Sequence, residues 1–221
     1  MVWSKYIQPR LISLACSGKP FRIQRTKIVP LAIGNVLEIG LGSGHNLPYY
    51  NLDKVDKITG VEPSEEMQKL AVNRIINMEL DVNLITSDAA DIPIDDNSID
   101  TIVCTYTLCT VSRPLEVLQE MKRVLKKGGK FLFSEHGQSP EINIRRFQKR
   151  IEPIWKILAD GCHLTRDIKD LLDESGFIID SLETMYLPKT PRFVGYNYWG
   201  SAKSISEALP SSGVFCLWGR W

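Results

Sequence analysis

Glycines at every second position, with an acid two residues before the first, form the segment of this sequence best suited to chemistry. Residues 36–39 predict a buried strand, and Gly40, Gly42 and Gly44 follow it. Glycine has no Cβ, so the backbone can turn sharply there and approach a ligand closely. A strand that ends in such a turn, before a helix, is typical of a nucleotide-type site in an α/β sheet.

The spacing of these glycines disfavours a nicotinamide dinucleotide. The fingerprint G-x-G-x-x-G needs glycine at position 45, where this chain has His45. Glu62 ends the next predicted strand, and a carboxylate there can accept hydrogen bonds from both hydroxyls of a ribose. Nicotinamide enzymes place an acid at the same point, so Glu62 indicates a ribose without choosing the cofactor. Asp88 follows the third predicted strand and offers a second carboxylate.

The histidines are the candidates for proton transfer. The chain has three, His45, His136 and His163. Histidine titrates near neutrality, which suits proton removal from an acceptor, and we predict His136 and His163 as catalytic residues. The alternative is that His45 packs on the ligand and His163 helps to cap a helix. The histidines lack suitably spaced cysteines or carboxylates, so no metal site is predicted.

Charge and composition limit the class of protein. Net charge is +1 and 24% of residues are charged, which is ordinary for a globular protein and predicts no nucleic-acid partner. Residues 1–37 contain six basic residues and no acid, which leaves open a solvated helical lid or contact with an anionic membrane. The five cysteines include no C-x-x-C pair and predict reduced thiols. We expect a cytoplasmic protein, with a peripheral membrane position left open.

The order of elements predicts an α/β fold. Residues 1–34 are expected to form two helical pieces broken near residues 18–20, and alternating strands and helices follow. This alternation predicts a Rossmann-like, doubly wound, mostly parallel seven-stranded sheet with an antiparallel C-terminal strand. Strands are predicted at 35–39, 57–62, 82–86, 99–105, 130–134, 177–187 and 193–202. Helices are predicted after Ser64, over 113–125 with Ser112 as cap, over 140–159 with a break at Pro153, and after Thr165 as cap.

A resemblance to a known family indicates which cofactor these motifs bind. The E-x-G-x-G-x-G run at residues 38–44 resembles motif I of the class I S-adenosylmethionine (SAM) methyltransferases. The Glu62-Pro63 pair, Asp88, residues 91–100 and the turn at 125–129 match further motifs in the same order, as in the broad ubiquinone/menaquinone-type group. The resemblance implies that SAM is the cofactor, with Glu38 near its ammonium group and Asp88 near its adenine. The implied cofactor-binding residues are Glu38, Gly40, Gly42, Gly44, His45, Asn46, Glu62, Pro63, Met67, Asp88, Ala89, Thr105 and Leu108.

Three further segments carry a narrower resemblance. Residues 104–111, 134–136 and 160–166 are similar to motifs of the methyltransferase-like thiol S-methyltransferases of animals and their bacterial relatives. The resemblance implies methyl transfer to a small, fairly apolar acceptor, with a thiol favoured. The alternatives are a phosphatidylethanolamine-type phospholipid, a quinol precursor, or a SAM-binding partner protein without turnover. We expect one domain over residues 1–221, with a lid (1–34), a SAM-binding half (35–138), an acceptor-side half (139–203) and a tail (204–221).

Overall fold

The computed structural model describes residues 7–76, 78–79 and 81–204, and within them seven strands form one sheet. The strands are β1 (Gly34–Ile39), β2 (Val55–Val61), β3 (Val82–Ile85), β4 (Ile99–Thr105), β5 (Leu125–His136), β6 (Phe177–Tyr186) and β7 (Tyr196–Ser204). The helices are α1 (Gln8–Cys16), α2 (Lys19–Ile28), α3 (Glu65–Ile75), α4 (Pro114–Val124), α5 (Ile142–Leu158), α6 (Ile168–Glu174) and α7 (Arg192–Gly195). The predicted tail lies outside the described residues apart from Ser204, which ends β7.

The strand order is β3-β2-β1-β4-β5-β7-β6. The pairs β1–β2, β2–β3, β1–β4 and β4–β5 are parallel, whereas β7 runs antiparallel between β5 and β6. This order confirms the predicted mostly parallel sheet and its antiparallel C-terminal strand. The order reverses between β1 and β4, and in such sheets ligands bind in the crevice at the carboxyl ends of those strands.

Apolar side chains cover both faces of the sheet. On one face, α4 buries the predicted stripe of Val117, Leu118, Met121 and Val124 against the strands. On the other face, the cluster includes Ile28 from α2, Ala71 from α3 and Trp199 from β7. Burial of each large apolar side chain adds roughly 1.5–3 kcal/mol to the free energy of unfolding. The two apolar layers therefore hold the strand ends in fixed positions.

Two predicted helix caps are wrong. Arg113, and not Ser112, is the N-cap of α4, and no side chain caps it. Pro114 begins that helix instead, because its fixed φ suits the first helical position and its missing N–H needs no partner there. Asp167, and not Thr165, caps α6 by accepting hydrogen bonds from the backbone N–H groups of residues 169 and 170.

Several predicted boundaries also differ. The fifth strand, predicted at 130–134 after a turn at 125–129, begins at Leu125 and ends at His136. Helix α5 continues through Pro153, which lies exposed, so the break predicted there is wrong. Proline removes a single hydrogen bond within a helix, and the seventeen-residue helix retains the others. The start predicted for the last strand, at residue 193, is also wrong, because Arg192–Gly195 is a helical turn and β7 begins at Tyr196.

Among the residues that the structure describes, no helix is both long and apolar enough to cross a bilayer.

Candidate active site

A cavity of about 520 Å³ lies at the reversal point of the sheet, a size suited to a small-molecule ligand. Its walls come from the loops after β1, β2, β3 and β4 and from α1. All the predicted cofactor-binding residues except Gly44 and Leu108 line it, namely Glu38, Gly40, Gly42, His45, Asn46, Glu62, Pro63, Met67, Asp88, Ala89 and Thr105. Gly44 packs on Leu47, and Leu108 is fully buried in the core.

The loop after β1 has backbone conformations that favour glycine. Gly42 has a φ of 57°, in the left-handed region that costs other residues about 1–2 kcal/mol. The nearest protein atom to a Cβ built on Gly42 is the oxygen of Gly40, at 3.8 Å. A side chain at this position would therefore enter the cavity. At Gly40, by contrast, a Cβ would collide with the side chain of Thr107.

Glu62 is held in place by two backbone donors. The Gly42 N–H donates to Glu62 Oε2 at 2.9 Å, and the Ser64 N–H donates to Glu62 Oε1 at 2.9 Å. Burial raises the pKa of this carboxyl, and the two backbone hydrogen bonds oppose that shift. The side chain of Ser64 caps α3 as predicted, accepting from the Met67 N–H at 3.3 Å. The geometry therefore orients one carboxylate at the cavity wall directly beside the glycine loop.

Glu38 belongs to a buried network that lines the same cavity. Its carboxylate accepts hydrogen bonds from Asn46 Nδ2 at 3.0 Å and from the Tyr50 hydroxyl at 2.6 Å. Asn46 Oδ1 accepts from Arg25 Nε at 2.9 Å, and Asn46 Nδ2 also donates to Thr105 Oγ1 at 3.0 Å. Burial raises the pKa of Glu38 to about 7, against the lowering effect of these donors and Arg25. A buried carboxylate of this kind favours a cationic ligand group.

Asp88 lies at the exposed edge of the cavity. It accepts hydrogen bonds from the Ala90 N–H at 2.9 Å and from Arg113 Nη2 at 2.9 Å. The Ala90 N–H, followed by Arg113, lowers the pKa of Asp88, so this carboxylate stays ionised. The loop after β3 thereby presents a fixed acceptor beside Ala89, at the end of the cavity near α4.

His45 connects the glycine loop to α1. Its Nε2 lies 2.8 Å from the backbone oxygen of Ser13, and it donates because a carbonyl only accepts. Burial, followed by the charge of Arg25, lowers the pKa of His45 to about 4, so the ring is neutral at physiological pH. Ser13 Oγ also lies 2.7 Å from Ser43 Oγ. Helix α1 is thus attached to the loop at two side chains.

The two predicted catalytic histidines do not line this cavity. His136, at the end of β5, is buried with Nε2 2.7 Å from Cys162 Sγ. His163 Nδ1 lies 3.3 Å from Glu152 Oε1, and burial lowers the pKa of His163. Neither residue belongs to the lining of the cavity, and their catalytic assignment stays a prediction.

Three features of the site are absent from the sequence-based predictions. Arg25 joins the network through Asn46 and donates to the Cys16 oxygen at 2.7 Å. Tyr106 lines the cavity with a φ of 57°, a conformation uncommon outside glycine and enriched at functional sites. The third feature is the meeting of His136 with Cys109 and Cys162. Of these three features, the sequence could have indicated only Tyr106, because it directly follows a predicted strand. The other contacts join residues that are far apart in the sequence.

In sequence the chain is similar to a methyltransferase family model and to curated methyltransferases, and in fold it is similar to solved structures. A family model described as a methyltransferase domain matches residues 37–133. The chain is 34% identical over 171 residues to a thiol S-methyltransferase of Rattus norvegicus, a match that covers 72% of this chain and 68% of the rat protein. It is 34% identical over 105 residues to a phosphatidylethanolamine N-methyltransferase of Cereibacter sphaeroides, covering 47% and 51%. Among solved structures, a putative methyltransferase from Bacillus halodurans superposes with a TM-score of 0.62 at 19% identity, covering 82% and 95%.

Proposed function

The chain belongs to the class I SAM-dependent methyltransferases, and on that premise we propose that it methylates the sulfur of a small, fairly apolar thiol. One observation carries the choice of acceptor. The rat relative, named as a thiol S-methyltransferase, is similar over 72% of this chain, whereas the phospholipid-methylating relative is similar over 47%. The match to the rat protein spans 171 residues, more than the cofactor-binding half (35–138) contains. Part of the similarity therefore lies outside that half.

SAM supplies an activated methyl group, and the residues of this chain bind and position it. In this proposal Glu62 accepts hydrogen bonds from the ribose hydroxyls, and Asp88 accepts from the adenine amino group. Glu38 attracts the ammonium group through its negative charge, and the Gly42 backbone lies against the methionine part. These proposed roles are supported by the chemistry of each group and by its place on the cavity wall.

The acceptor side of the cavity needs to orient a sulfur atom and exclude water. Methyl transfer forms a bond from the acceptor sulfur to the methyl carbon while the bond from the sulfonium to that carbon breaks. The thiol proton goes to solvent. Holding the reacting atoms about 3–3.5 Å apart removes several kcal/mol of the barrier. Ile12 and Cys16 of α1 and Tyr106 of the β4 loop line the cavity and are placed to cover such an acceptor.

A thiol acceptor needs little assistance from the protein to lose its proton. With a pKa of about 8.5, a free thiol is partly ionised at neutral pH, so the protein needs little base catalysis. This agrees with a cavity whose lining includes one histidine, His45, held neutral and engaged with Ser13.

A phospholipid amine is the second candidate acceptor. The 34% identity to the Cereibacter sphaeroides enzyme favours it, and so does the basic, partly apolar N-terminal segment. A lipid amine is charged at neutral pH and would need a proton acceptor at the site, which a thiol does not.

An acceptor screen tests the proposal. The purified chain is incubated with SAM and, separately, with an alkyl thiol, an aryl thiol, glutathione, phosphatidylethanolamine vesicles or a demethylated quinol, and methylated products are quantified. We expect methyl thioethers from the apolar thiols, and much less product from a Glu62→Ala control at equal concentration and subsaturating SAM. Product from phosphatidylethanolamine or the quinol, with none from any thiol, would replace the thiol proposal.

A further inference from the structure

Two cysteines and one histidine from three separate elements meet beneath the cavity wall. Cys109 lies in the loop after β4, His136 ends β5, and Cys162 lies in the loop after α5. One ligand atom from each residue lies within 4.8 Å of the others, and all three residues are buried. From this geometry we propose that Cys109, His136 and Cys162 bind a Zn²⁺ ion, in place of the expectation that the chain has no metal site.

The distances between the three ligand atoms span the values expected in a tetrahedral zinc site. Zinc bonds of about 2.0 Å to nitrogen and 2.3 Å to sulfur place neighbouring ligand atoms roughly 3.5–3.8 Å apart. The cluster includes a separation of 2.7 Å, between His136 Nε2 and Cys162 Sγ, and none above 4.8 Å.

The chemistry of the ligands selects the metal. Two thiolates and an imidazole suit zinc, whereas magnesium and calcium require oxygen ligands. Each cysteine loses its thiol proton to solvent when it binds the ion, and the two resulting charges balance those of Zn²⁺. Three protein ligands leave one tetrahedral position for water or another group, as in sites that are not purely structural.

The second ring nitrogen of His136 has no partner among the described residues, whereas its first faces Cys162. His136 Nδ1 is buried and has no hydrogen-bond partner in the described part of the chain. Buried polar atoms without partners are rare in native proteins and commonly mark an ion or water. With Nε2 bound to the ion, Nδ1 would carry the ring proton and donate it to a water or another acceptor, as the second nitrogen of a metal-bound histidine does.

The backbone around the cluster already joins the elements that the ion would connect. The His163 N–H donates to the Cys109 oxygen at 2.7 Å, and Glu135 Oε2 accepts from the Cys109 N–H at 3.3 Å. The chain on either side of the cluster reaches the cavity lining at Thr110 and Asp160. A bound ion would therefore brace the wall of the cavity by connecting the β4 loop, β5 and the α5–α6 loop.

Metal content tests the proposal. The full chain is purified without chelators under reducing conditions, and zinc is measured by mass spectrometry of the metal. It is then stripped, reloaded with Co²⁺, and examined for thiolate-to-cobalt charge-transfer absorption. We expect about one zinc per chain, a tetrahedral cobalt spectrum with that absorption, and a rise in melting temperature when zinc is restored.

Matched serine variants locate the ligands. Cys162→Ser and Cys109→Ser are expected to lose most of the zinc found in the wild type, because each removes one of the three protein ligands. Cys16→Ser serves as the control, because this partly exposed thiol lies outside the cluster, and it should keep full zinc content. The proposal is overturned if the wild type binds neither zinc nor cobalt, or if its cobalt spectrum lacks thiolate absorption. A disulfide between Cys109 and Cys162 in protein that has never been exposed to oxidant would also overturn it.

Discussion

At the scale of single residues, three carboxylates of the cavity differ in burial and in their partners. Glu38 is buried beneath Asn46 and Tyr50, Glu62 is fixed by two backbone donors, and Asp88 lies at the exposed edge beside Arg113. Because the environment sets how each carboxylate titrates and which ligand group it attracts, their effects on binding and stability can be predicted separately.

Removal of the Glu62 carboxylate should weaken SAM binding. A charge-assisted hydrogen bond is worth roughly 1.5–3 kcal/mol, so Glu62→Ala should raise the dissociation constant by at least about tenfold. Calorimetric titration with SAM measures this change. The exposed Glu65, on the first turn of α3, provides the control Glu65→Ala, which should bind as the wild type does. A loss of less than about threefold in Glu62→Ala would remove Glu62 from the ribose site.

Gly42 and Gly128 allow backbone strain to be separated from loss of the ligand site. Both have positive φ, 57° and 78°, and a Cβ at either position meets no protein atom closer than 3.8 Å. Alanine at each position should therefore lower the free energy of unfolding by a similar amount, about 1–2 kcal/mol. Only Gly42 lines the cavity, so only Gly42→Ala should lose SAM affinity. Equal SAM affinity in both variants would show that the Gly42 position does not face the cofactor.

The stability of the protein should depend on pH through Glu38. The pKa of this carboxyl is raised to about 7 in the folded chain, compared with about 4.3 when it is unfolded. The stabilising contribution of the protonated form is complete below the unfolded pKa and is lost as pH rises through 7. The free energy of unfolding of the wild type should fall by ~3 kcal/mol relative to Glu38→Gln between about pH 4 and 8. Urea titrations at the two pH values measure it, and a constant difference between wild type and variant would contradict it.

SAM affinity should change with pH in the opposite direction to stability. An ionised Glu38 attracts the ammonium group, so affinity should rise with pH up to about 7 and then level off. The same measurement on Glu38→Gln separates the effect of this carboxyl from those of Arg25, Tyr50 and Glu62, which interact with it, and of His45, which lines the same cavity. A wild-type profile that is flat between pH 5 and pH 8 would show that Glu38 does not meet the ammonium group.

At the scale of elements, α1 and α2 form a layer over the cavity. Arg25 of α2 donates to the Cys16 oxygen at the end of α1 and to Asn46 in the glycine-loop segment. The predicted break between the two helical pieces is confirmed, because Gly18 lies between α1 and α2. Helical spacing in the sequence predicts both pieces, but it does not predict that Arg25 is buried, because that burial depends on the amide of Asn46.

The exposed surface of α1, α2 and the adjacent α5 carries basic and apolar side chains. Leu14 of α1 is 71% exposed and Ile157 of α5 is 73% exposed, and Gln8 Nε2 joins the two helices by donating to the Ile157 oxygen. Apolar side chains beside basic residues are typical of helices that lie on anionic membranes. We expect the chain to float with phosphatidylserine vesicles at low salt and to be released at high salt, where surface charges are screened.

Substitutions on that surface provide the control for membrane contact. Leu14→Glu and Ile157→Glu should abolish flotation, whereas Ile178→Glu, on strand β6, should leave it unchanged. Phosphatidylcholine vesicles should bind little under any condition. If the wild type does not float with phosphatidylserine vesicles at low salt, the membrane contact is contradicted. Helices α1 and α2 would then serve only as a lid over the cavity.

At the scale of the whole molecule, period and order in the sequence predict most of the fold. Apolar runs of strand length alternate in the sequence with segments of helical spacing, such as the one that forms α4. This local pattern predicts the number of strands and the mostly parallel sheet. Helix ends were harder to predict, because a proline at the first helical position replaces the expected cap of α4. The meeting of Cys109, His136 and Cys162 could not be predicted, since the three residues are far apart in the sequence and only the sheet brings them together.

The structure of a complex with S-adenosylhomocysteine, the product of SAM, tests the central claim most directly. We predict that the product lies in the cavity at the carboxyl ends of β1 and β4, with both ribose hydroxyls within hydrogen-bond distance of Glu62. Its adenine should approach Asp88 and Ala89, and its amino acid part should lie along Gly40 and Gly42. A product bound elsewhere, or bound here with its ribose turned away from Glu62, would contradict the assignment of this cavity as the SAM site.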